Sequence, residues 1–250
     1  MLSRKIKKYH FPLSVILPCY NEEKNIRRNI QYIHNYLTLR FSDFEIIVVN
    51  DGSTDKTAEE LKRTRDKIRV IDLKPNHGKG MAVKTGILES KGEIVMFLDA
   101  DLAIPIEELP EFLREIENES DIAIASRFIA QIKVLKPILW YRRLMEKVFR
   151  LLRMIIINNY DIQDTQCGFK VFTREAARKI FPLLTITGWS FDVEVIYLAK
   201  KMGLAIKELP VTLQNPPESH IRLVRDSWTM FWDLFRIRLN AWRGRYGNRE

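Results

Sequence analysis

The chain is poor in the residues that staple, tether or loosen a fold. Its only two cysteines, Cys19 and Cys167, lie far apart without metal-ligand neighbours, which argues against a disulfide scaffold and makes a reducing cytosol the default compartment. The four histidines show neither H-x-x-x-H nor H-E-x-x-H spacing, so a zinc site is not expected. Ten glycines and ten prolines in 250 residues argue against collagen-like repeats and low-complexity linkers. No apolar run approaches the roughly 18–20 residues of a membrane-spanning helix. Arg4, Lys5, Lys7 and Lys8 precede an apolar run as in a secretory signal. However, Pro12 and Pro18 bracket that run, no small-residue cleavage site follows, and Asn21-Glu22-Glu23 comes directly after, so a short basic arm over residues 1–11 is expected instead.

What is present suits one large domain. Hydrophobic residues make up 46% and charged residues 29%, a balance that can bury a sizeable core. Lysine and arginine total 41 against 32 acidic residues, a net charge of +9. A surface that basic suits nucleic acid, anionic lipid heads or phosphorylated small molecules, and composition does not choose among them.

Periodicity gives the architecture. Short β-branched runs (Ser14 to Leu17, Glu45 to Val49, Ile68 to Ile71, Glu93 to Leu98, Asp121 to Ala125) alternate with stretches of helical period, such as Ile26, Ile30, Ile33 and Leu37. Helices are expected over Gly80 to Ser90 and Glu107 to Glu117. Strands alternating with single helices predict an α/β fold with a mostly parallel sheet covered on both faces. Ligands then bind beyond the carboxyl ends of the strands. From residue 127 the pattern changes. Ile138 to Ile156 reads as a long amphipathic helix, and eight Lys and Arg stand against one acid between 127 and 153. Trp228 to Trp242 repeats aromatic residues at helical spacing among arginines. Such helices suit an anionic membrane surface. A helix docked on the core or on a second copy of the chain is the competing reading.

Three strand-end segments could carry chemistry. Asp99-Ala100-Asp101 leaves a buried strand, where alternate residues face one side. Thirteen aspartates predict about 0.7 D-x-D pairs by chance, so position rather than the bare motif carries the argument. Two carboxylates facing one crevice need a cation between them, and Mg²⁺ or Mn²⁺ shared with substrate phosphates meets that need. Asp51, after the second strand, is placed to hydrogen-bond a nucleotide base or ribose, or to cap the next helix. Asn76-His77-Gly78-Lys79-Gly80 opens a helix with glycines that let backbone N–H groups approach an anion. It has neither Walker nor G-x-G-x-x-G spacing. A nucleic-acid-binding module would leave these ordered loops unexplained, so no nucleic-acid partner is expected.

Val15-Ile16-Leu17-Pro18-Cys19-Tyr20-Asn21-Glu22, Val49-Asn50-Asp51-Gly52-Ser53-Thr54-Asp55, Asn76 to Gly80 and Phe97-Leu98-Asp99-Ala100-Asp101, in that order, resemble the family 2 inverting glycosyltransferases. Ala125-Ser126-Arg127-Phe128, Asp164 to Lys170 and Trp189-Ser190-Phe191-Asp192-Val193-Glu194 extend the resemblance to the polyprenyl-phosphate glycosyltransferases, nearest the dolichyl-phosphate β-glucosyltransferases, then the mannosyltransferases. The resemblance implies a GT-A fold, a nucleotide-sugar donor and a divalent metal. Pro18, Tyr20, Glu22, Asp51 and Lys79 would hold the nucleotide-sugar, and Asp99 and Asp101 the metal and diphosphate. Arg127, Arg142, Arg143 and Cys167 would meet the acceptor phosphate. Ser219-His220 stands where the family often has Ser-Lys, so the donor-phosphate contact falls to Arg222 or Arg225.

The expected organisation is a basic arm (1–11), a catalytic domain (12–215, with a nucleotide-sugar half over 12–126 and an acceptor half over 127–215) and a basic aromatic helix (216–250). The expected reaction moves a hexose from UDP-glucose, or next GDP-mannose, to polyprenyl or dolichyl phosphate, with Asp101 and Arg127 at the reacting groups. A lipid phosphate needs no general base. A sugar hydroxyl acceptor would need one, and Asp192 or Glu194 are the candidates. A peripheral position on the cytoplasmic membrane face is expected, with a homodimer or a membrane-protein partner left open.

Overall fold

The computed structural model describes residues 7–127, 140–157, 161–213 and 223–247, with only the backbone of 140–148 and 223–227. Among the described residues seven strands form one sheet: β1 (Leu13–Cys19), β2 (Phe44–Asp51), β3 (Arg69–Leu73), β4 (Ile94–Leu98), β5 (Ile122–Ser126), β6 (Phe169–Thr173) and β7 (Ile206–Pro210), in the order β3-β2-β1-β4-β6-β5-β7. β1–β2, β2–β3, β1–β4 and β5–β7 pair parallel; β6 runs antiparallel to both β4 and β5. The sheet is mostly parallel, as the alternation of strands and helices predicts. The antiparallel β6 is a finding of the structure alone. Its sequence, Phe-Lys-Val-Phe-Thr, carries a lysine mid-run, and strand order is not written in local periodicity.

The α-helices of the described residues are α1 (Ile26–Arg40), α2 (Thr57–Lys62), α3 (Lys79–Leu88), α4 (Leu109–Glu117), α5 (Trp140–Ile157), α6 (Arg174–Ile180), α7 (Phe191–Lys201) and α8 (Leu223–Trp242). Alternate strand residues feed two cores. Val15, Leu17, Ile46 and Val48 pack with Ile26, Ile30 and Phe112 on one face of the sheet. Ile16, Ile47, Val49 and Phe97 pack with Val83, Ile180, Val195, Leu234 and Ile237 on the other. Period-2 burial on both faces explains why these strands read as unbroken apolar runs. β1 lies inside the sheet with β2 on one side and β4 on the other. The chain order therefore reverses at β1, the kind of place where open α/β sheets leave a crevice.

Segments near both limits of the described residues pack on this core. Tyr9, within the predicted arm, is buried, bridges to Phe41 and stacks on its ring at 4.9 Å. α8 docks on the core through Asp233, Leu234, Ile237 and Asn240, so the core-docked reading holds for one of its faces. Its other face exposes Trp228, Trp232, Phe235, Leu239 and Trp242. Among the described residues no helix is long and apolar enough to cross a membrane.

Candidate active site

Three loops meet beyond the carboxyl ends of β1, β2 and β4. The first two are laced together. Asn21 N–H donates to Ser53 Oγ (3.0 Å), Glu22 N–H to Thr57 Oγ1 (2.8 Å) and Glu23 N–H to Asp55 Oδ2 (3.1 Å). In return Asn21 Oδ1 accepts from Thr54 N–H (2.8 Å) and Glu23 Oε2 from Lys56 N–H (2.9 Å). Asn21 takes a positive φ of 57°, which asparagine tolerates better than most residues. These bonds account for the polar run after each strand. They leave Tyr20, 41% exposed, at the rim of β1, above a buried Pro18.

Asp51 is buried, and both its carboxylate oxygens are engaged: Oδ1 accepts from His77 N–H and Oδ2 from Gly78 N–H, each at 2.8 Å. Asp51 therefore clamps the 76–78 turn and does not cap the helix after β2. The turn is clamped from behind as well. Met81 N–H donates to Thr187 O at 3.2 Å, and a Cβ on Gly78 would lie 2.5 Å from that carbonyl. With φ at +96°, Gly78 is required on both counts. The glycines of this turn serve close backbone packing, and they aim Lys79 across the crevice.

Lys79 Nζ lies 2.5 Å from Asp99 Oδ1 and 5.6 Å from the Trp189 ring centroid. Burial disfavours its charge, but Asp99, Asp192 and Asp101 outweigh that and hold the ammonium above the ordinary lysine range. The Asp99 carboxylate rests on the backbone of Gly168, where a Cβ would come within 1.8 Å of Oδ2, and Asp99 N–H donates to Gly168 O at 3.0 Å. Asp101 Oδ1 accepts from Ala103 N–H at 3.0 Å. Asn29 of α1 is buried and donates to Ala100 O at 2.8 Å, fixing the turn between the two aspartates. Among the described residues no three His, Cys, Asp or Glu side chains group as a metal site. Two carboxylates completed by substrate phosphates are a normal donor set for Mg²⁺ or Mn²⁺. Asp99, its carboxylate seated against the Gly168 backbone, fits that role.

Beneath Asp99 lies a second ion pair, Lys170 Nζ to Asp192 Oδ1 at 2.5 Å, with both residues fully buried. Lys170 also donates to Cys167 O at 2.7 Å and faces the Phe97 ring at 5.0 Å. Burial pushes the Asp192 carboxyl above the ordinary range, against the pull of Lys170 and Lys79. Glu194 is buried too and accepts four hydrogen bonds. Neither candidate base opens on the crevice.

On the acceptor side Arg127, at the end of β5, forks onto buried Asp164 (Nε to Oδ2 2.7 Å, Nη2 to Oδ1 3.0 Å). Burial would raise the Asp164 carboxyl, but Arg127 holds it below the ordinary range. Glu208 of β7 accepts from Asp164 N–H (2.7 Å) and Gln163 N–H (2.9 Å), while buried Arg153 donates to Ile162 O (2.9 Å) and Gln163 O (3.2 Å). The Cys167 thiol packs in the core, and burial pushes it up to about 12; it does not line the crevice. Arg142 and Arg143 lie on α5 and Arg225 on α8, where only the backbone is described; Arg222 lies outside the described residues. The structure thus places Pro18, Tyr20, Glu22, Asp51, Lys79, Asp99 and Asp101 at or beside the carboxyl ends of β1, β2 and β4 and the start of α3. Sequence reasoning missed Asn29, and it assigned no supporting role to Asp164, Gly168 and Lys170 within the Asp164 to Lys170 segment. A lone asparagine on an apolar helix face and a lone lysine in an apolar strand were the available signals.

Residues 14–181 match Glycosyl transferase family 2. The dolichyl-phosphate β-glucosyltransferase of Dictyostelium discoideum is 37% identical, covering 92% of this chain and 76% of the relative. That of Homo sapiens is 36% identical over 92% and 77%, and that of Saccharomyces cerevisiae 35% over 94% and 76%. Among solved structures, Mycobacterium tuberculosis glucosyl-3-phosphoglycerate synthase with UDP superposes with a TM-score of 0.65 over 91% of this chain and 80% of that one, at 20% identity. The same enzyme with Mn²⁺, UDP and phosphoglyceric acid superposes equally well, at 0.65 over 96% and 80%, again at 20% identity. At that identity the likeness is one of fold, and the fold is GT-A. With its motifs seated at the strand ends of that fold and its sequence matched over most of the sheet, the chain belongs to glycosyl transferase family 2 and is a glycosyltransferase.

Proposed function

We propose that the chain transfers glucose from UDP-glucose to the phosphate of dolichyl or another polyprenyl phosphate, with inversion, and that GDP-mannose is the second-choice donor. The observation that carries this reading is the meeting of Tyr20, Asp51, Lys79, Asp99 and Asp101 at the ends of β1, β2 and β4, in a chain similar to dolichyl-phosphate β-glucosyltransferases.

Tyr20, Glu22 and the Asp51-clamped turn receive the nucleoside, and Lys79 offers its charge to the diphosphate. Mg²⁺ or Mn²⁺ would be held by Asp99 and Asp101 with the donor phosphates; when bound, it neutralises the leaving nucleoside diphosphate as a Lewis acid. Arg127 presents the acceptor phosphate, helped by Arg142 and Arg143, while the donor-phosphate contact is assigned to Arg222 or Arg225. A phosphate monoester with a second pKa near 6 is largely dianionic at pH 7 and attacks without a base. Arginine forks orient such an anion without removing its lone pairs. Burial of Asp192 against Lys170, and of Glu194 in its own network, favours this acceptor over a sugar hydroxyl.

The acceptor is a membrane lipid, and α8 offers a way to reach it. Trp228 is 64% and Trp242 85% exposed, Leu151 and Ile155 of α5 are exposed too, and Arg236, Arg238, Arg243 and Arg245 are interleaved. A face of this kind lies in the headgroup plane of an anionic leaflet, here the cytoplasmic one. Calorimetry with UDP and GDP, each with Mn²⁺ or Mg²⁺, tests the donor side. UDP binding that needs metal and is lost in Asp99→Asn is expected; metal-independent binding, or preference for GDP, would overturn this assignment.

A further inference from the structure

Glu194, on the first turn of α7, gathers three separate pieces of chain. Its Oε2 accepts N–H groups of Thr185 (2.9 Å) and Ile186 (2.8 Å), and its Oε1 accepts the hydroxyls of Thr185 (2.6 Å) and Tyr246 (2.5 Å). Asn240 of α8 adds a bond from Nδ2 to Thr185 Oγ1 at 2.8 Å. Glu194, Asn240 and Tyr246 are all buried. A buried carboxylate is costly unless its lone pairs are met, and here four donors meet them. One side chain therefore ties the segment after α8 to the 184–188 loop.

That loop is the back wall of the donor-side turn. Thr187 O accepts from Met81 N–H, Leu184 O and Pro182 O accept from Lys84 Nζ at 2.8 and 3.1 Å, and a Cβ on Gly80 would stand 2.8 Å from Ile186 O. Contacts this close leave no slack between the loop and Gly78-Lys79-Gly80. Packed interiors transmit small displacements rather than absorb them.

We infer that Glu194 and Tyr246 are positioning residues: by fixing Thr185 and Ile186 they hold the wall that sets Lys79 against Asp99, so that seating of the C-terminal segment governs the donor site. The inference deepens the proposed function, since it takes Lys79 and Asp99 to be donor-side groups.

Tyr246→Phe removes one hydroxyl, and Glu194→Gln alters the hub itself. Three readouts apply to the full chain: UDP binding with Mn²⁺, the KM for UDP-glucose against that for dolichyl phosphate, and amide hydrogen exchange at residues 77–81. In Tyr246→Phe the UDP dissociation constant and the UDP-glucose KM are expected to rise about fivefold or more. Exchange at 77–81 is expected to quicken, while the KM for dolichyl phosphate stays level. A lowered melting temperature with all three readouts unmoved would reduce the hub to a structural support and overturn the inference. Should Glu194→Gln fail to fold, Tyr246→Phe decides alone. If the wild type binds no UDP, the donor assignment falls, and the exchange measurement still decides the positioning.

Discussion

The Asp99 carboxylate sits in the space that a side chain at Gly168 would fill: a Cβ there would stand 1.8 Å from Asp99 Oδ2. The relationship arises because β6 runs antiparallel beside β4, bringing the residue before β6 against the residue after β4. Gly168→Ala is expected to push the Asp99 carboxylate off its seat. The clashing atoms end a side chain that is 33% exposed and free to swing away, so the fold should change by about 1 kcal/mol or less, while transfer falls by about a hundredfold, as for loss of one group stabilising transition-state charge. Thermal unfolding and initial-rate measurements on the same preparation check this.

The buried Lys170–Asp192 pair predicts an asymmetric mutational response. Lys170→Met leaves a buried carboxylate without its counter-ion and is expected to cost about 3–5 kcal/mol. Replacing both, as Lys170→Met with Asp192→Leu, should recover much of that loss. Denaturant unfolding of the single and double variants measures both, and equal stabilities of the two would contradict it.

Much of the sheet and one side of the site are legible in the sequence, for a physical reason. Strands buried on both faces appear as apolar runs, and residues that follow them must lie at one edge, so Tyr20, Asp51 and Asp99 could be placed without coordinates. What Asp51 does was not legible, because its partners, the amides of His77 and Gly78, lie 26 and 27 residues away and carry no side-chain signal. Nor was the burial of Asp192. Asp192 reads from the sequence as a candidate base, and its burial shows only when Lys170, from a strand on another part of the chain, is seen paired with it.

The Arg127–Asp164 fork predicts acid sensitivity. Arg127 holds the folded Asp164 carboxyl below its ordinary value of 3.8, so its contribution is fully present above pH 3.8 and disappears as pH falls through the depressed folded value. Asp164→Asn is expected to cost about 1–3 kcal/mol at pH 7, moderated because the Arg127 side chain is 38% exposed. The gap between wild type and variant should close below pH 3.8. Urea unfolding across pH 2–7 follows it; a gap independent of pH would refute the assignment.

The exposed aromatic face of α8 predicts membrane binding that the core does not need. Replacing Trp228, Trp232 and Trp242 together by Ser should leave thermal stability within about 1 kcal/mol, as for surface changes. Flotation with phosphatidylserine vesicles should drop by about tenfold or more. Unchanged flotation would point α8 at a protein partner instead.

The most direct test of transfer to a lipid phosphate is the reaction itself. The chain is incubated with dolichyl phosphate and radiolabelled UDP-glucose or GDP-mannose, with Mn²⁺ or Mg²⁺, beside Asp101→Ala. We predict labelled glucosyl lipid from UDP-glucose, little from GDP-mannose, and none from the variant. Failure to label dolichyl phosphate from either donor, together with transfer to a sugar hydroxyl, would contradict the account.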